Sequence, residues 1–140
     1  LADRDVEPSS LVLEITETAA IRDLDQAERF ICEMKGLGCR LALDDVGAGF
    51  ASLYFLKRLP VDFIKIDGAF IRNLPHDTAD QHLVRALATV CRELGKRTVA
   101  EFVESPESLR LVREYGVDYA QGYLIGRPAP GLCATQAPCH

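Results

Sequence analysis

The stretch Arg40-Leu-Ala-Leu-Asp-Asp-Val-Gly-Ala-Gly-Phe50 decides the fold of this chain. A short apolar run ends in two adjacent carboxylates, Asp44 and Asp45, and a Gly-X-Gly turn follows at residues 47–49. Two neighbouring acids repel each other and are costly to desolvate, so the pair indicates a positive partner at the end of a buried strand, most simply a divalent metal. The alternative is a strand followed by an ordinary turn, because Asp and Gly are favoured turn residues.

The composition indicates a single globular domain and excludes some functions. The chain has 140 residues, 48% of them hydrophobic, which is enough for one domain with a real core. Its formal net charge of -5 argues against binding a DNA or RNA polymer, because that binding relies on a basic surface. No stretch reaches the about 20 apolar residues of a membrane span, and no signal peptide is visible. We therefore expect a segment without membrane contact, and a first residue other than Met indicates a piece of a longer protein.

The cysteines indicate a reducing compartment. Their odd number and scattered spacing fit neither a disulfide framework nor a zinc site. Cys32 and Cys91 lie in predicted helices and are interpreted as core thiols. We expect a cytoplasmic setting, which could be the cytoplasmic part of a larger membrane-bound protein. Three further residues could chelate a metal, but they fall in a tail over residues 131–140 that is predicted to be flexible: Cys133, Cys139 and His140.

Short apolar runs alternate with helical patterns along the chain. Strands are predicted over residues 11–15, 40–44, 62–66, 97–101 and 118–122. Helices are predicted over residues 25–37, 50–59, 78–94 and 105–115. The first helix begins with an Asp25…Glu28 capping box, and the last begins with Ser105-Pro106. The third helix has one apolar face that is predicted to be buried, formed by Leu83, Leu87, Val90 and Leu94.

This order of elements predicts an α/β fold. Strands that alternate with helices are parallel and are joined by crossover helices. The near-continuous apolar strands agree, because helices cover both sides of such sheets. No Gly-X-Gly-X-X-Gly fingerprint follows any strand, which argues against a doubly wound dinucleotide-binding fold.

Polar residues stand at or near the C-terminal end of every predicted strand. They are Glu14 and Glu17, Asp44 and Asp45, Lys65 and Asp67, Glu101 and Glu104, and Gln121. The carboxyl ends of parallel strands meet at one edge, and ligands bind there. Five such ends in succession are difficult to explain as solvated edges. The series therefore favours a metal-dependent site over the turn interpretation.

The residue types at this edge suit phosphodiester chemistry. Four hard oxygen ligands for Mg²⁺ or Mn²⁺ are present, namely Glu14, Asp44, Asp45 and Glu101. Two such ions could clamp a phosphodiester and generate a hydroxide, and Lys65 would stabilise the developing charge. Alternatively, Lys65 only balances the charge of Asp44. Glu17 and Glu104 could support the site or be surface acids, and Arg127 could meet a phosphate or only water.

Five motifs in order carry a resemblance to a known family. They are Glu14-Ile-Thr-Glu17, Asp44-Asp-Val-Gly-Ala-Gly-Phe50, Lys65-Ile-Asp67, Ala100-Glu-Phe-Val-Glu104 and Gln121-Gly-Tyr123. In order and spacing, from about Leu11 to Pro130, the chain resembles the EAL domain, a family of cyclic di-GMP phosphodiesterases. The resemblance implies parallel (β/α) units of a TIM-like barrel, with five strands present and three N-terminal strands missing. Residues 1–130 would then be a partial barrel domain.

The resemblance also implies an activity and residue roles. The family binds two Mg²⁺ or Mn²⁺ ions and hydrolyses cyclic di-GMP to linear pGpG. By motif, Glu14 would ligate one metal, Asp44 would bridge both, and Asp45 would ligate the second. Lys65 would contact the metal-bound water, and Glu101 would be a ligand or general base near it. Glu17 would hold the loop over residues 46–52. Glu104 and Gln121 would complete the site around substrate and water.

Some positions depart from the family pattern. Val46 stands where Phe is usual and Ala51 where a Ser is usual, which would loosen the loop between them. Phe102 stands beside Glu101 where Gly is common, and it could reshape the pocket. The Glu-Ala-Leu signature and an Asn ligand belong upstream of these motifs and do not occur in this chain. The two-metal site would therefore be incomplete, and the fragment would be a weak or inactive enzyme.

The same reasoning leads to expectations about partners. Open strand edges recruit other strands, so a homodimer or an exchange of elements is expected. The parent protein would carry attached sensory or GGDEF-type domains. Two rival functions stay open at this point. One is a non-catalytic module that binds cyclic di-GMP for signalling, and the other is a different metal-dependent barrel enzyme that uses Lys65 as a base on a carboxylate substrate.

Overall fold

The computed structural model describes residues 6–47 and 53–126, which form one parallel sheet in the order β1-β2-β3-β4-β5. The strands are β1 (Val12–Thr16), β2 (Arg40–Val46), β3 (Phe63–Ile66), β4 (Arg97–Ala100) and β5 (Tyr119–Ala120). The helices are α1 (Glu17–Arg22), α2 (Leu24–Gly36), α3 (Leu53–Arg58), α4 (Gly68–Arg72), α5 (Thr78–Glu93) and α6 (Pro106–Glu114), with 3-10 turns at Pro8–Ser10 and Leu74–His76. The predicted order of parallel strands and helices is confirmed.

The strand registers bring the polar strand ends side by side. Thr16 at the end of β1 lies opposite Asp44 in β2, and Ile66 at the end of β3 lies opposite Ala100 in β4. The register between β2 and β3 shifts between Leu43 and Val46, so the end of β2 is irregular where the aspartates stand. Residues just past each strand therefore share one edge of the sheet.

Helices pack against the sheet through two groups of buried apolar side chains. The first group lies under β1 to β3 and includes Ile31, Leu41, Leu43, Ile64 and Cys91. The second lies under β3 to β5 and includes Ile66, Ala100, Val103, Val112 and Tyr115. Burial of one large apolar side chain contributes about 1.5–3 kcal/mol, so these groups hold the strand ends in place.

The start of α2 corrects one prediction. The helix is capped by Asp23, whose side chain accepts a hydrogen bond from the Gln26 N–H at 3.0 Å, and not by an Asp25…Glu28 box. Asp25 and Glu28 instead form ion pairs with Arg58 of α3. Both side chains therefore pair with a cation that lies 30 residues or more further along the chain. Local sequence spacing does not reveal such a partner.

The buried face of α5 and one cysteine correct two further predictions. Val84, Ala88 and Cys91 face the core, whereas Leu83 is 54% exposed. Small residues allow the helix to lie close to the sheet. Of the predicted face, Leu87 is partly buried against both core groups, whereas Leu83 and Leu94 are exposed. Cys32, predicted to be a core thiol, is exposed, and Cys39 and Cys91 are buried.

The start of α6 confirms a prediction. Ser105 accepts a hydrogen bond from the Ser108 N–H at 3.1 Å, and Pro106 is the first helical residue. Within the described ranges, no helix combines the length and the apolar character that a membrane crossing requires. The predicted tail over residues 131–140, with Cys133, Cys139 and His140, lies outside the described residues, and so does Arg127.

Candidate functional site

Lys65 lies at the centre of the polar edge. Its side chain, on β3, is almost completely buried. The Nζ atom lies 2.7 Å from Glu14 Oε1, 3.1 Å from Glu101 Oε1 and 3.8 Å from Asp44 Oδ1. These three acids come from β1, from the residue after β4, and from β2, so one ammonium group joins four neighbouring strand ends.

Three carboxylates form the group that could hold a metal. Asp44, Asp45 and Glu101 each offer an oxygen, and these oxygens lie within 4.8 Å of one another. Asp45 has a φ of 56°, a left-handed conformation that Asp tolerates better than most residues. Its backbone N–H donates to Asp44 Oδ1 at 2.9 Å. The turn therefore presents two adjacent carboxylates on the same side of the chain, where alternation along a regular strand would separate them.

The cluster shifts the pKa values of its members. Burial raises the pKa of the Glu101 carboxyl, and Asp44 and Asp45 add to this effect, although the hydrogen bond from Lys65 opposes it. Partial desolvation and the charge of Asp44 raise the pKa of Asp45. Burial alone would lower the pKa of Lys65, but its hydrogen bonds to Glu14 and Glu101 outweigh burial and raise it. Lys65 therefore stays cationic at neutral pH.

The donor set fits a hard divalent cation. Carboxylate oxygens are the ligands that Mg²⁺ and Mn²⁺ prefer, and three of them converge here. Burial and, to a smaller extent, repulsion from neighbouring carboxylates raise the pKa of Asp45 and Glu101, which is the response expected of partly desolvated acids close to one another. Of the four predicted ligands, Asp44, Asp45 and Glu101 converge, and Glu14 lies against Lys65 with its side chain 46% exposed.

Glu17 ties the turn after β2 to α1. It is the first residue of α1 and is buried, and its Oε2 accepts a hydrogen bond from the Gly47 N–H at 2.9 Å. Its other carboxylate oxygen is buried without a hydrogen-bond partner in the part of the chain that the structure describes. Gly47 has a φ of 107°, and an added Cβ would stand 2.5 Å from the ring of Phe70, so only glycine fits. Residues 48–52 lie outside the described residues, and with them the predicted loosening at Ala51.

Two other predicted residues stand at the margin of the cluster. Glu104 and Gln121 are both exposed. The Gln121 backbone is fixed, because its N–H donates to the Ala100 carbonyl at 2.8 Å and its carbonyl accepts from the Val103 N–H at 3.0 Å. Substrate contact by either side chain stays a prediction.

Sequence reasoning missed the short helix α4 and its part in the site. Asp67 caps this helix by accepting a hydrogen bond from the Ala69 N–H at 2.7 Å, and its charge contributes to the raised pKa of Asp45. Gly68 and Arg72 of α4 contact the ring of Phe102. The run Asp67-Gly-Ala contains an N-cap residue, which could have indicated the helix.

A parallel (β/α) sheet with a lysine among carboxylates at its carboxyl edge is the arrangement expected of a (β/α) barrel whose carboxylates could hold a divalent cation. The chain belongs to the EAL domain family, whose sequence profile matches residues 1–128. The resemblance read from the five motifs is therefore confirmed. The fold prediction of a TIM-like barrel is confirmed as well, because EAL domains of solved structure superimpose on the chain.

Known relatives are similar over most of the chain but are much longer. The cyclic di-GMP phosphodiesterase PdeB of Shewanella oneidensis is 44% identical over 126 residues, which are 90% of this chain and 15% of PdeB. The MucR phosphodiesterase of Pseudomonas aeruginosa, solved as a c-di-GMP complex, superimposes with a TM-score of 0.88 at 39% identity, covering 93% of this chain and 53% of that one. Klebsiella pneumoniae BlrP1, solved with manganese and cyclic di-GMP, gives 0.86 at 33% identity, covering 91% and 33%.

Proposed function

We propose that this chain forms part of a phosphodiesterase that hydrolyses cyclic di-GMP to linear pGpG in bacterial second-messenger signalling. The observation that carries the proposal is the convergence of Asp44, Asp45 and Glu101 around Lys65 in a chain of the EAL family. Relatives of that family are named as cyclic di-GMP phosphodiesterases, and solved neighbours hold cyclic di-GMP with manganese or calcium.

A divalent cation fits this site. Asp44, Asp45, Glu101 and Glu14 would hold Mg²⁺ or Mn²⁺. Such ions would polarise a phosphoryl oxygen and lower the pKa of a bound water molecule, which makes it a better nucleophile near neutral pH. The hard carboxylate donor set supports this choice of metals over softer ones.

The chain's own residues would bind and orient the phosphodiester. Lys65, whose pKa is raised, would donate a hydrogen bond to a phosphate oxygen or to the attacking water. Glu101, whose pKa is also raised, would accept a proton from that water at a pH nearer to neutral than an ordinary glutamate. Glu17 would keep the Gly47 turn in place through its hydrogen bond.

The outer parts of the site are proposed from the motifs. Glu104, Gln121 and Arg127 would contact the substrate or ordered water. We also propose a cytoplasmic location and attached sensory or GGDEF-type domains in the parent. The chain matches only 15–18% of the length of two relatives, so the rest of such a protein has space for further domains. In the described residues β1 pairs only with β2, and β5 only with β4, so both outer strands could pair with a second copy.

The 140-residue chain alone is proposed to be a weak enzyme. It spans about half of the MucR phosphodiesterase structure, and the family's remaining ligands would come from the other half. We expect the longer parent, incubated with Mn²⁺, to convert cyclic di-GMP to pGpG, with the product identified by chromatography. The chain alone should do so at least about tenfold more slowly, because loss of groups around a metal typically weakens activity 10–100-fold.

Variants of the parent decide between enzyme and binding module. Lys65→Met should remove hydrolysis, whereas Lys57→Met, which changes an exposed lysine of α3, should leave it unchanged. A parent that binds cyclic di-GMP without opening it would instead support the non-catalytic signalling module. Hydrolysis of linear or carboxylate substrates in preference to cyclic di-GMP would support a different barrel enzyme.

A further inference from the structure

The turn after β4 has a backbone conformation that is unusual for its residue. Phe102 follows Glu101 and has a φ of 60°, in the left-handed region. In that region the Cβ atom approaches the following carbonyl, so a bulky residue rarely occupies it. A phenylalanine at this position must therefore be held by its surroundings.

Two residues of α4 hold the phenyl ring. Gly68 lies so close to it that a Cβ added at Gly68 would stand 2.0 Å from Cδ2 of Phe102. One helical turn later, the guanidinium carbon of Arg72 lies 4.0 Å from the ring centroid, which is a cation–π contact. Residues four apart share a helix face, so Gly68 and Arg72 both contact the ring from the same face of α4. We call this packing of Gly68 and Arg72 around Phe102 the ring clasp.

The ring clasp connects two strand ends that carry the site. Helix α4 follows β3, which holds Lys65, and Phe102 follows β4 and Glu101. On the far side of the ring the chain is fixed again, because the Val103 N–H donates to the Gln121 carbonyl at 3.0 Å. Glu101 therefore lies between the end of β4 and Phe102, whose position is fixed by the ring clasp. The conformation of that short turn decides the direction of its carboxylate.

We propose that Phe102 is a positioning residue for Glu101: the ring clasp keeps the left-handed turn that directs the Glu101 carboxylate toward Lys65 and the two aspartates. The inference rests on the proposed function in one respect, namely that Glu101 shares a metal site. The pairing of Glu101 with Lys65, 3.1 Å apart, does not depend on that function.

A small set of variants separates the contribution of the phenyl ring from that of the backbone conformation. Phe102→Ala removes the ring but keeps the Cβ that disfavours a left-handed turn, and Phe102→Gly removes the ring but tolerates the turn. Phe102→Tyr keeps the ring and should behave as the wild type. Phe30→Ala is the matched control, because Phe30 on α2 is 40% exposed and Phe102 is 42% exposed.

The first measurement needs no metal. In the metal-free chain, a nuclear Overhauser cross-peak between the ε-methylene of Lys65 and the γ-methylene of Glu101 reports their pairing. We expect this cross-peak in the wild type, in Phe102→Tyr and in Phe30→Ala. It should weaken in Phe102→Gly and disappear in Phe102→Ala.

The second measurement is the affinity for Mn²⁺ by calorimetric titration. Groups that orient metal ligands typically change affinity 10–100-fold, so we expect a loss of about that size for Phe102→Ala, a smaller loss for Phe102→Gly, and none for Phe30→Ala. The inference is overturned if Phe102→Ala keeps the cross-peak, whatever its stability. Equal losses in the Ala and Gly variants would contradict the role given to the left-handed turn. A wild-type chain that does not bind Mn²⁺ would overturn the assignment of a metal site to this chain's residues alone, and the cross-peaks would still decide the role of Phe102.

Discussion

Replacing Lys65 with methionine tests the electrostatics on which the whole site depends. The Lys65 ammonium is nearly buried and lies 2.7 Å from Glu14 and 3.1 Å from Glu101. Methionine keeps a similar length and an apolar stem but removes the positive charge and its hydrogen-bond donors. The substitution therefore leaves neighbouring carboxylates without their cation, and we expect the free energy of unfolding to fall.

The size of this loss follows from how exposed each partner is. A hydrogen bond between charged groups contributes about 1.5–3 kcal/mol. The bond to Glu101 counts in full because the Glu101 side chain is only 13% exposed, whereas Glu14 can regain water and counts for little. Methionine also removes the cost of burying an ammonium, which offsets part of the loss. We expect a net loss of about 1–2.5 kcal/mol, or about 3–9 °C in Tm for a chain of this length.

Urea unfolding at neutral pH with EDTA measures the effect. The midpoint should fall with an unchanged slope, and the exposed-lysine control Lys57→Met should stay within about 0.5 kcal/mol of the wild type. Mn²⁺ should return more stability to Lys65→Met than to the wild type, because the bound cation would replace the missing charge. The reasoning is refuted if Lys65→Met and Lys57→Met unfold at the same urea concentration, or if Mn²⁺ stabilises the wild type more.

Four further predictions follow from other contacts. Glu17→Ala leaves the partly buried Gly47 N–H without its acceptor, so urea unfolding should show a loss of about 1–2 kcal/mol; an unchanged midpoint would contradict this. The folded-state pKa of Glu101 is raised by burial, so its contribution to stability is present below its ordinary pKa and is lost as pH rises through the raised value; without metal, the wild type should therefore lose stability relative to Glu101→Gln as pH rises above the ordinary glutamate pKa of about 4.3. Burial raises the pKa of the Cys91 thiol to about 11, so iodoacetamide should label exposed Cys32 before Cys91, as read by peptide mass spectrometry. Sedimentation should show dimers through the outer edges of β1 and β5, and a clean monomer at high concentration would argue against them.

The members of the candidate site could be predicted because parallel strands align their carboxyl ends. Once the strand order was read from the alternation of elements, Asp44, Lys65 and Glu101 had to share an edge. The distances that join them, 3.8 Å and 3.1 Å from the Lys65 Nζ, follow from that alignment. The turn of Asp45 could not be predicted, because its φ of 56° depends on the irregular register between β2 and β3.

The wrong predictions share a physical origin in competition between similar local patterns. Helix α5 has two apolar stripes, and sequence reasoning chose the one with the larger side chains. The structure buries the stripe with Val84, Ala88 and Cys91, because smaller residues let the helix approach the sheet. Leu83 and Leu87 line an apolar groove of about 370 Å³ with Phe70 of α4. At the start of α2 two aspartates are candidates for the N-cap. Asp23 caps the helix, and Asp25 instead forms an ion pair with Arg58 of α3.

The excess negative charge of the site connects its cost in folding stability to its proposed function of binding a cation. Four carboxylates, those of Glu14, Asp44, Asp45 and Glu101, stand around the single ammonium of Lys65, which leaves three negative charges uncompensated. Burial and mutual repulsion raise the pKa of Asp45 and Glu101, so the folded chain resists ionising these groups at the pH where a cation would need them ionised. A divalent cation removes that conflict, because it supplies the missing charge where the oxygens already converge. The same imbalance that costs stability without a cation would therefore contribute affinity for one, and Lys65 limits the cost without taking the place of a metal.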